Sequence, residues 1–247
     1  MPWLVDELRH APCAPLLKHL VFDDTNLTTA GAVVLGAALG EDAFAALENL
    51  YLVDNEDIGD EGCTALMEGL KATGQVELSI LHMDRVGMGD EGMKALASAV
   101  HAGKFVRLES LRCLGTDSKT WINSDNEEGW EVTVAKKMVA DEGMRALAEA
   151  MAGGRREEGN ERRGEAQRGF VLPELLSVHL TVLGDEATMP QVIALVDALF
   201  WACPLLEELH AIFFTEETMD VVTDMAEAVN ARRCEGSQSL SVSFQDY

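Results

Sequence analysis

Basic residues are scarce in this sequence. Lys and Arg number 19 against 43 Asp and Glu, a formal net charge of −24 over 247 residues. So acidic a surface repels nucleic acid and anionic membranes, and it attracts cations or protein partners with a basic surface. Paired cysteines are also missing. The five thiols (Cys13, Cys63, Cys113, Cys203 and Cys234) are odd in number and contain no C-x-x-C. That argues against a disulfide framework or a zinc site and favours reduced cysteines in a cytoplasmic, reducing setting. No apolar run is long. The blandest stretch, "AGAVVLGAALG" (Ala30 to Gly40), falls well short of the roughly 20 residues that span a bilayer, so no membrane insertion is expected. The opening "MPWLVDELRH" carries acids where a secretory leader has basic residues, and it reads instead as a short helix covering the first repeat. G-x-S-x-G, H-E-x-x-H, G-x-x-x-x-G-K-[ST] and G-x-G-x-x-G are all absent. A non-enzymatic protein with no cofactor is therefore expected.

What the chain does have is 47% hydrophobic residues, enough for a sizeable core, and an internal repeat. Gly31, Gly62, Gly92 and Gly143 each open an apolar-periodic run, at intervals of 31, 30 and 51 residues. Each is followed at plus four and plus eight by an apolar residue: Leu35 and Leu39, Leu66 and Leu70, Leu96 and Val100, Leu147 and Met151. That spacing predicts a helix with one apolar stripe. Upstream of each lies a short L-x-x-L-x-L segment: "LLKHLVF", "LENLYL", "LSILHM" and "LESLRC", then the less regular "LLSVHL" and "LLEELHA". The closing "LSVSF" alternates like one more strand.

Strand, loop and helix thus recur about six times, and one such unit cannot bury its own apolar face, so neighbours must stack. The pattern resembles the leucine-rich repeat from about Leu17 to about Phe244, and its "GDEGxxAL" form resembles the ribonuclease-inhibitor type. The resemblance implies an α/β fold: a solenoid of six to seven repeats, with a curved parallel sheet inside and helices outside, forming one domain over 1–247. It also implies an Asn after each strand, a place that Asn26 and Asn55 fit and that Gly87 fills in the third copy. Two insertions interrupt the rhythm, at 114–137 between the fourth strand and its helix, and at 153–169 after that helix. The second is glycine-rich and charged in both signs, which reads as a loop with nothing to bury.

The paired acids beside glycines, "GDEG" at Gly59 to Gly62 and Gly89 to Gly92, invite a metal-site reading. They lack the alternating ligands of a calcium loop and recur at fixed phase, so a structural role is expected. Asp60 and Asp90 precede the helices as N-caps, Glu61 and Glu91 face the positive end of the helix dipole, and the glycines allow close backbone approach. "ADEG" (Ala140 to Gly143) and "GDEA" (Gly184 to Ala187) read as worn copies.

With the leucines inward, the residue between the last two apolar positions of each strand projects from the concave sheet face. That column reads Val21, Tyr51, His82, Arg112, His179, His210 and Ser241. Asn49, Ile80, Ser110, Ser177 and Glu208 flank it on one side. Asp23, Val53, Asp84, Leu114, Thr181 and Ile212 flank it on the other. Its histidines are either solvated strand positions or part of a binding stripe with Arg112 and Tyr51; a metal held by His179 and His210 lacks a third ligand. If the stripe binds, histidine protonation would make binding pH-sensitive. Trp121 and Trp130, in the first insertion, either anchor that insertion to the body or reach a partner. Cys63 and Cys113 fall at inward positions and read as core thiols.

The candidate partner-binding residues are therefore Tyr51, His82, Asp84, Arg112, Trp121, Trp130, His179 and His210. The leading function is a protein-interaction module or scaffold subunit of a larger assembly. It would bind through the concave face, the 114–137 insertion, or both. The resemblance offers one alternative, a GTPase-activating protein of the Ran-directed type, and the charge alone offers another, an acidic inhibitor of a basic enzyme.

Overall fold

Each L-x-x-L-x-L segment supplies only one or two inward residues before the chain must turn, so the strands are short. The computed structural model describes residues 2–74, 76–114, 141–152, 172, 174–181, 189–212, 216–231, 233 and 239–244. In chain order it contains α1 (Pro2–Arg9), β1 (His19–Val21), α2 (Thr29–Gly40), β2 (Asn49–Tyr51), α3 (Gly59–Ala72), β3 (Ile80–His82) and α4 (Asp90–His101). There follow β4 (Ser110–Leu114), α5 (Asp141–Ala152), β5 (Ser177–Thr181), α6 (Met189–Ala202), β6 (Glu208–Ile212), α7 (Glu216–Asn230) and β7 (Ser241–Phe244). Among the described residues the strands form one parallel sheet in the order β1 to β7. This is an α/β repeat fold in which each helix is the crossover to the next strand. No helix among the described residues is long and apolar enough to cross a membrane.

The sheet is held to the helices by ladders of like residues. Leu20, Leu50, Leu81, Leu111, Val178 and Leu209 stand side by side across successive strands, and all are buried. Behind them lie the plus-four and plus-eight residues of the helices, Leu35 and Leu39 through Leu147 and Met151, buried as the periodicity predicts. Cys63 and Cys113 are buried too, and burial pushes the Cys63 thiol up to about 12, so it is an inert core group. The sequence pattern does not announce Phe44 and Phe105. Each sits five residues before a strand and is almost wholly buried, closing the turn between helix and strand. At the amino end, α1 packs on α2 with Val5 buried.

Consecutive helices pack side by side, and α2 against α3 most tightly. The sequence of α2, "TAGAVVLGAALG", has glycine at positions 36 and 40 on the side facing α3, which lets the two backbones touch. A methyl group at Gly69 would fall on the backbone of Gly36, with the carbonyl carbon only 2.7 Å away; one at Gly36 would fall on the Ala65 carbonyl.

The acids of the GDEG segments cap helices, but not their own. Asp60 lies inside the first turn of α3, and its Oδ1 accepts hydrogen bonds from the backbone N–H of Gly89 (2.7 Å) and Gly92 (2.8 Å), at the start of α4. Asp90 in turn accepts from Gly143 N–H at 2.8 Å, at the start of α5. Thr29, in the same phase one repeat earlier, donates to the carbonyls of Asp57 and Ile58. The reason is geometric. Side-by-side helices bring the first turn of one beside the free N–H groups of the next, within reach of the short Asp side chain. Glycine at position 92 leaves the room, since a methyl there would stand 3.0 Å from Asp60 Oδ1. Asp60→Ala is expected to cost about 1–2 kcal/mol, as a lost charged cap does, while the neighbouring exposed Glu61→Ala changes stability by less than about 0.5 kcal/mol. Urea unfolding of the two variants checks this, and equal midpoints would contradict the cross-repeat cap.

Candidate functional site

The mid-strand leucines point toward the helices, so the residues on either side of them face the open side of the sheet. The pairing register joins Val21, Tyr51, His82, Arg112, His179 and His210 in one row. The row ends at Ser243 rather than Ser241, because β7 pairs Ser241 with Glu208 and Ser243 with His210. Leu240 is kept out of the strand by Asn230, whose side chain bonds both its N–H and its carbonyl. Ser241 therefore extends the neighbouring row of Asn49, Ile80, Ser110, Ser177 and Glu208. The other flank is broken at β4. The register shifts between Arg112 and Leu114, so Leu114, the first residue of the 114–137 insertion, is the last of β4 and pairs with Leu180 instead of Thr181. Trp121, Trp130, the rest of that insertion, the 153–169 insertion and the "GDEA" copy lie outside the described residues, as do the side chains of His179 and His210.

Four of the predicted residues come together between β2 and β4. The Tyr51 and His82 rings meet edge to face, 88° apart in plane, with centroids separated by 5.1 Å. His82 Nε2 lies 3.0 Å from Ser110 Oγ. Arg112 Nε lies 2.7 Å from Asp84 Oδ2, a contact ion pair whose N–H is not aimed along a hydrogen bond. Asp84 departs from its predicted place on the exposed flank: it is only 3% exposed and sits beneath the arginine. Two further residues complete the group. Arg85 forms a two-pronged ion pair with Asp54, and both hold left-handed backbone (φ 52° and 61°), as does Asp24 one repeat earlier (φ 49°). Sequence reading gives Asp54, Arg85 and Ser110 no role. The signal for the first two is a turn position recurring at the strand period, visible only once the register is fixed.

Burial lowers the His82 imidazole from 6.5 to about 4, and the Arg112 charge pushes the same way. His82 is therefore neutral at physiological pH, and the pH-sensitivity expected of the stripe does not come from this residue. Burial raises the Asp84 carboxyl from 3.8 to about 6, with Arg112 pulling back. The two shifts have opposite consequences for stability. Below pH 6.5 the unfolded chain takes up a proton at His82 that the folded chain refuses, so acidification down to about 4 destabilises. Between about 6 and 3.8 the folded chain takes up a proton at Asp84 that the unfolded chain does not, so acidification stabilises. Each contribution is about 1 kcal/mol after allowing for solvent screening. Relative to wild type, His82→Gln is expected to gain stability as pH falls from 6.5 to 4, and Asp84→Asn to lose it. Thermal melts across that range decide, and parallel curves for all three proteins would refute the assignment.

Elsewhere, a groove of about 380 Å³ runs between α5 and α6, floored by Ala148, Ala194 and Ala198 and edged by Arg145, Glu149 and Asp197. It lies on the helix side, away from the row. Among the described residues no three His, Cys, Asp or Glu side chains gather as a metal site would require.

The loop after β2 is held by one buried side chain. Asn55 is 1% exposed and fully bonded. Its Oδ1 accepts from the N–H groups of Thr25 and Leu27, and its Nδ2 donates to the carbonyls of Phe22, Leu52 and Val53. One side chain thereby satisfies the turning backbone of two adjacent repeats. Residues 47–67, which contain β2 and this asparagine, match the family model of the leucine rich repeat. The chain matches no curated protein. Carried along the strand register, the Asn55 position of the leucine-rich repeat falls on Thr25 and Val86, so Asn26 and Gly87 stand one residue beyond it. Thr25 answers with its hydroxyl, donating to Phe22 O at 2.6 Å, and Val86 is buried as an apolar substitute. The repeat match over 47–67 and the exposed row on the sheet are consistent with a protein-interaction module.

Proposed function

We propose that this chain is a scaffold subunit built as a leucine-rich-repeat solenoid of the ribonuclease-inhibitor-like type, cytoplasmic and non-enzymatic, that binds a protein partner on its open sheet face. The observation that carries this reading is the row Val21, Tyr51, His82 and Arg112. Four different non-leucine side chains stand in adjacent register on a face that the repeat itself leaves exposed or half-buried. Tyrosine and arginine are the side chains that most often anchor protein interfaces. Their neighbours already hold them in place, so little rotamer freedom remains to be lost on binding. His179 and His210 extend the row at their register positions, and Trp121 and Trp130 of the 114–137 insertion follow directly from β4 in the sequence.

Affinity purification of the tagged chain, with partners quantified by mass spectrometry, tests the proposal. Changing Tyr51 to Ala together with Arg112 to Lys, which keeps a cation beside buried Asp84 while removing the guanidinium, is expected to reduce recovery of a specific partner at least about tenfold without lowering the melting temperature appreciably. Deletion of 115–137 tests the insertion in the same assay. Partner recovery unchanged by either variant would rule out both surfaces.

A further inference from the structure

The acids that follow β2 and β3 on the open face are each covered by an arginine from the next strand or its loop. Arg85 contacts Asp54, and Arg112 contacts Asp84. The first repeat carries two acids in the same places. Asp24 stands in the row of Asp54 and Arg85. Its N–H bonds the Val53 carbonyl as that of Asp54 bonds Asp84, and all three residues hold left-handed backbone. Asp23 stands in the row of Val53 and Asp84. Carried back to this repeat along the register, the places of Arg85 and Arg112 fall on Asp54 and Tyr51, neither of them a cation. Both aspartates are exposed, and among the described residues neither makes an ion pair. Asp24 lies instead beside the like charge of Asp54, and Asp23 accepts the Val53 N–H at 2.8 Å. Next to them Val21 is 61% exposed, with Tyr51 and Val53 half-buried in the following repeat.

We infer that the β1–β2 end of the open face docks a protein segment through a Lys or Arg side chain, its aliphatic stem on Val21 and its charge against Asp23 and Asp24. The inference rests on the reading of the open face as the docking surface and adds where the partner sits and what it brings. An exposed apolar residue with two unpaired acids beside it suits a side chain that is apolar along its stem and cationic at its tip. Farther along the face a cation would have to displace Arg85 or Arg112, and it gains nothing by the exchange. An uncharged segment would cover Val21 but take water from the two carboxylates without replacing it. An acidic segment is repelled by them and by the chain as a whole. A second copy, docked about a two-fold axis, sets the same acids against themselves. A metal ion is not the cation either: Asp54 commits both oxygens to Arg85, and no three acids among the described residues gather as ligands.

The test pans a random phage-displayed peptide library against the intact 247-residue chain and measures the enriched peptides by fluorescence anisotropy. Peptides carrying Lys or Arg are expected, with affinity falling at least about tenfold between roughly 0.05 and 0.5 M salt. Asp23→Asn combined with Asp24→Asn should weaken them at least about tenfold, and Val21→Ser at least about threefold. Asparagine keeps the acceptor for the Val53 N–H at position 23 and tolerates the left-handed backbone at 24, so the pair removes charge and leaves the fold. Asp220→Asn combined with Asp224→Asn removes the same charge from exposed sites on α7 and should change affinity less than about twofold. Basic peptides weakened equally by both pairs would mean attraction to the net charge alone and overturn the inference. Peptides that depend on Tyr51 but ignore Asp23 and Asp24 would overturn it while leaving the face as the docking surface. Peptides indifferent to every substitution on the face, or no enrichment at all, would overturn both readings. In sedimentation equilibrium of the chain alone, a dimer that Val21→Ser dissolves would assign the patch to a second copy and also overturn the inference.

Discussion

Replacing Gly69 with alanine is expected to cost about 3 kcal/mol, although alanine is the better helix former by up to about 1 kcal/mol. The added methyl has nowhere to go, because what it meets is the backbone of Gly36 on α2, which no rotamer change can move. The helices must separate along their whole contact, and the carbonyl of Gly36 loses its tight packing. In a chain of this size that cost corresponds to a fall in melting temperature of roughly 6–12 °C. Gly74 is the matched control. It has no neighbour within 4 Å of an added methyl, and Gly74→Ala should stay within about 0.5 kcal/mol of wild type. Equal melting of the two variants would mean that α2 and α3 do not touch through their backbones.

The second large effect is expected at Asn55. Asn55→Ala removes two acceptor contacts from backbone N–H groups and three donor contacts at once, leaving the N–H of buried Leu27 and the carbonyl of Leu52 without partners and the carbonyl of Phe22 with only the Thr25 hydroxyl. Unpaired buried backbone groups cost more than the bonds themselves contribute, so the loss should be about 3–5 kcal/mol. Asn55→Asp is not a rescue, since a carboxylate supplies the acceptor and none of the donors. Asn26→Ala, one residue beyond the equivalent place in the first repeat, disturbs only a left-handed residue and should cost about 1 kcal/mol. Urea midpoints order the three variants, and an Asn55→Ala protein as stable as Asn26→Ala would show that the loop does not depend on this side chain.

The repeat was legible because its signal is periodic burial. Leu50, Leu81 and Leu111 recur at the strand spacing and Leu66, Leu96 and Leu147 at the helix spacing, and each is inside. Side-chain periodicity also gave the exposed row as far as Arg112, since a strand alternates its faces. It failed where a side chain sets the register. Leu240 continues the alternation of Val242 and Phe244, yet Asn230 holds it outside β7. The destination of polar groups was least legible. Asp60 reads as a cap in any sequence, but which helix it caps depends on how neighbours lie side by side. Asp84 alternates outward like Asp23, but Arg112 on the next strand lies against it, a contact that alternation alone does not announce.

The cross-repeat contacts of the β2–α3 unit run in opposite directions. Through Asn55 the unit reaches back to close the loop after β1, and through Asp60 it reaches forward to start α4. Its own free energy is thus spread over three consecutive units. A break in the chain on either side would strip contacts from a segment that contains no broken bond. Such an array melts as a block rather than from its ends, and the block extends as far as these reciprocal ties continue.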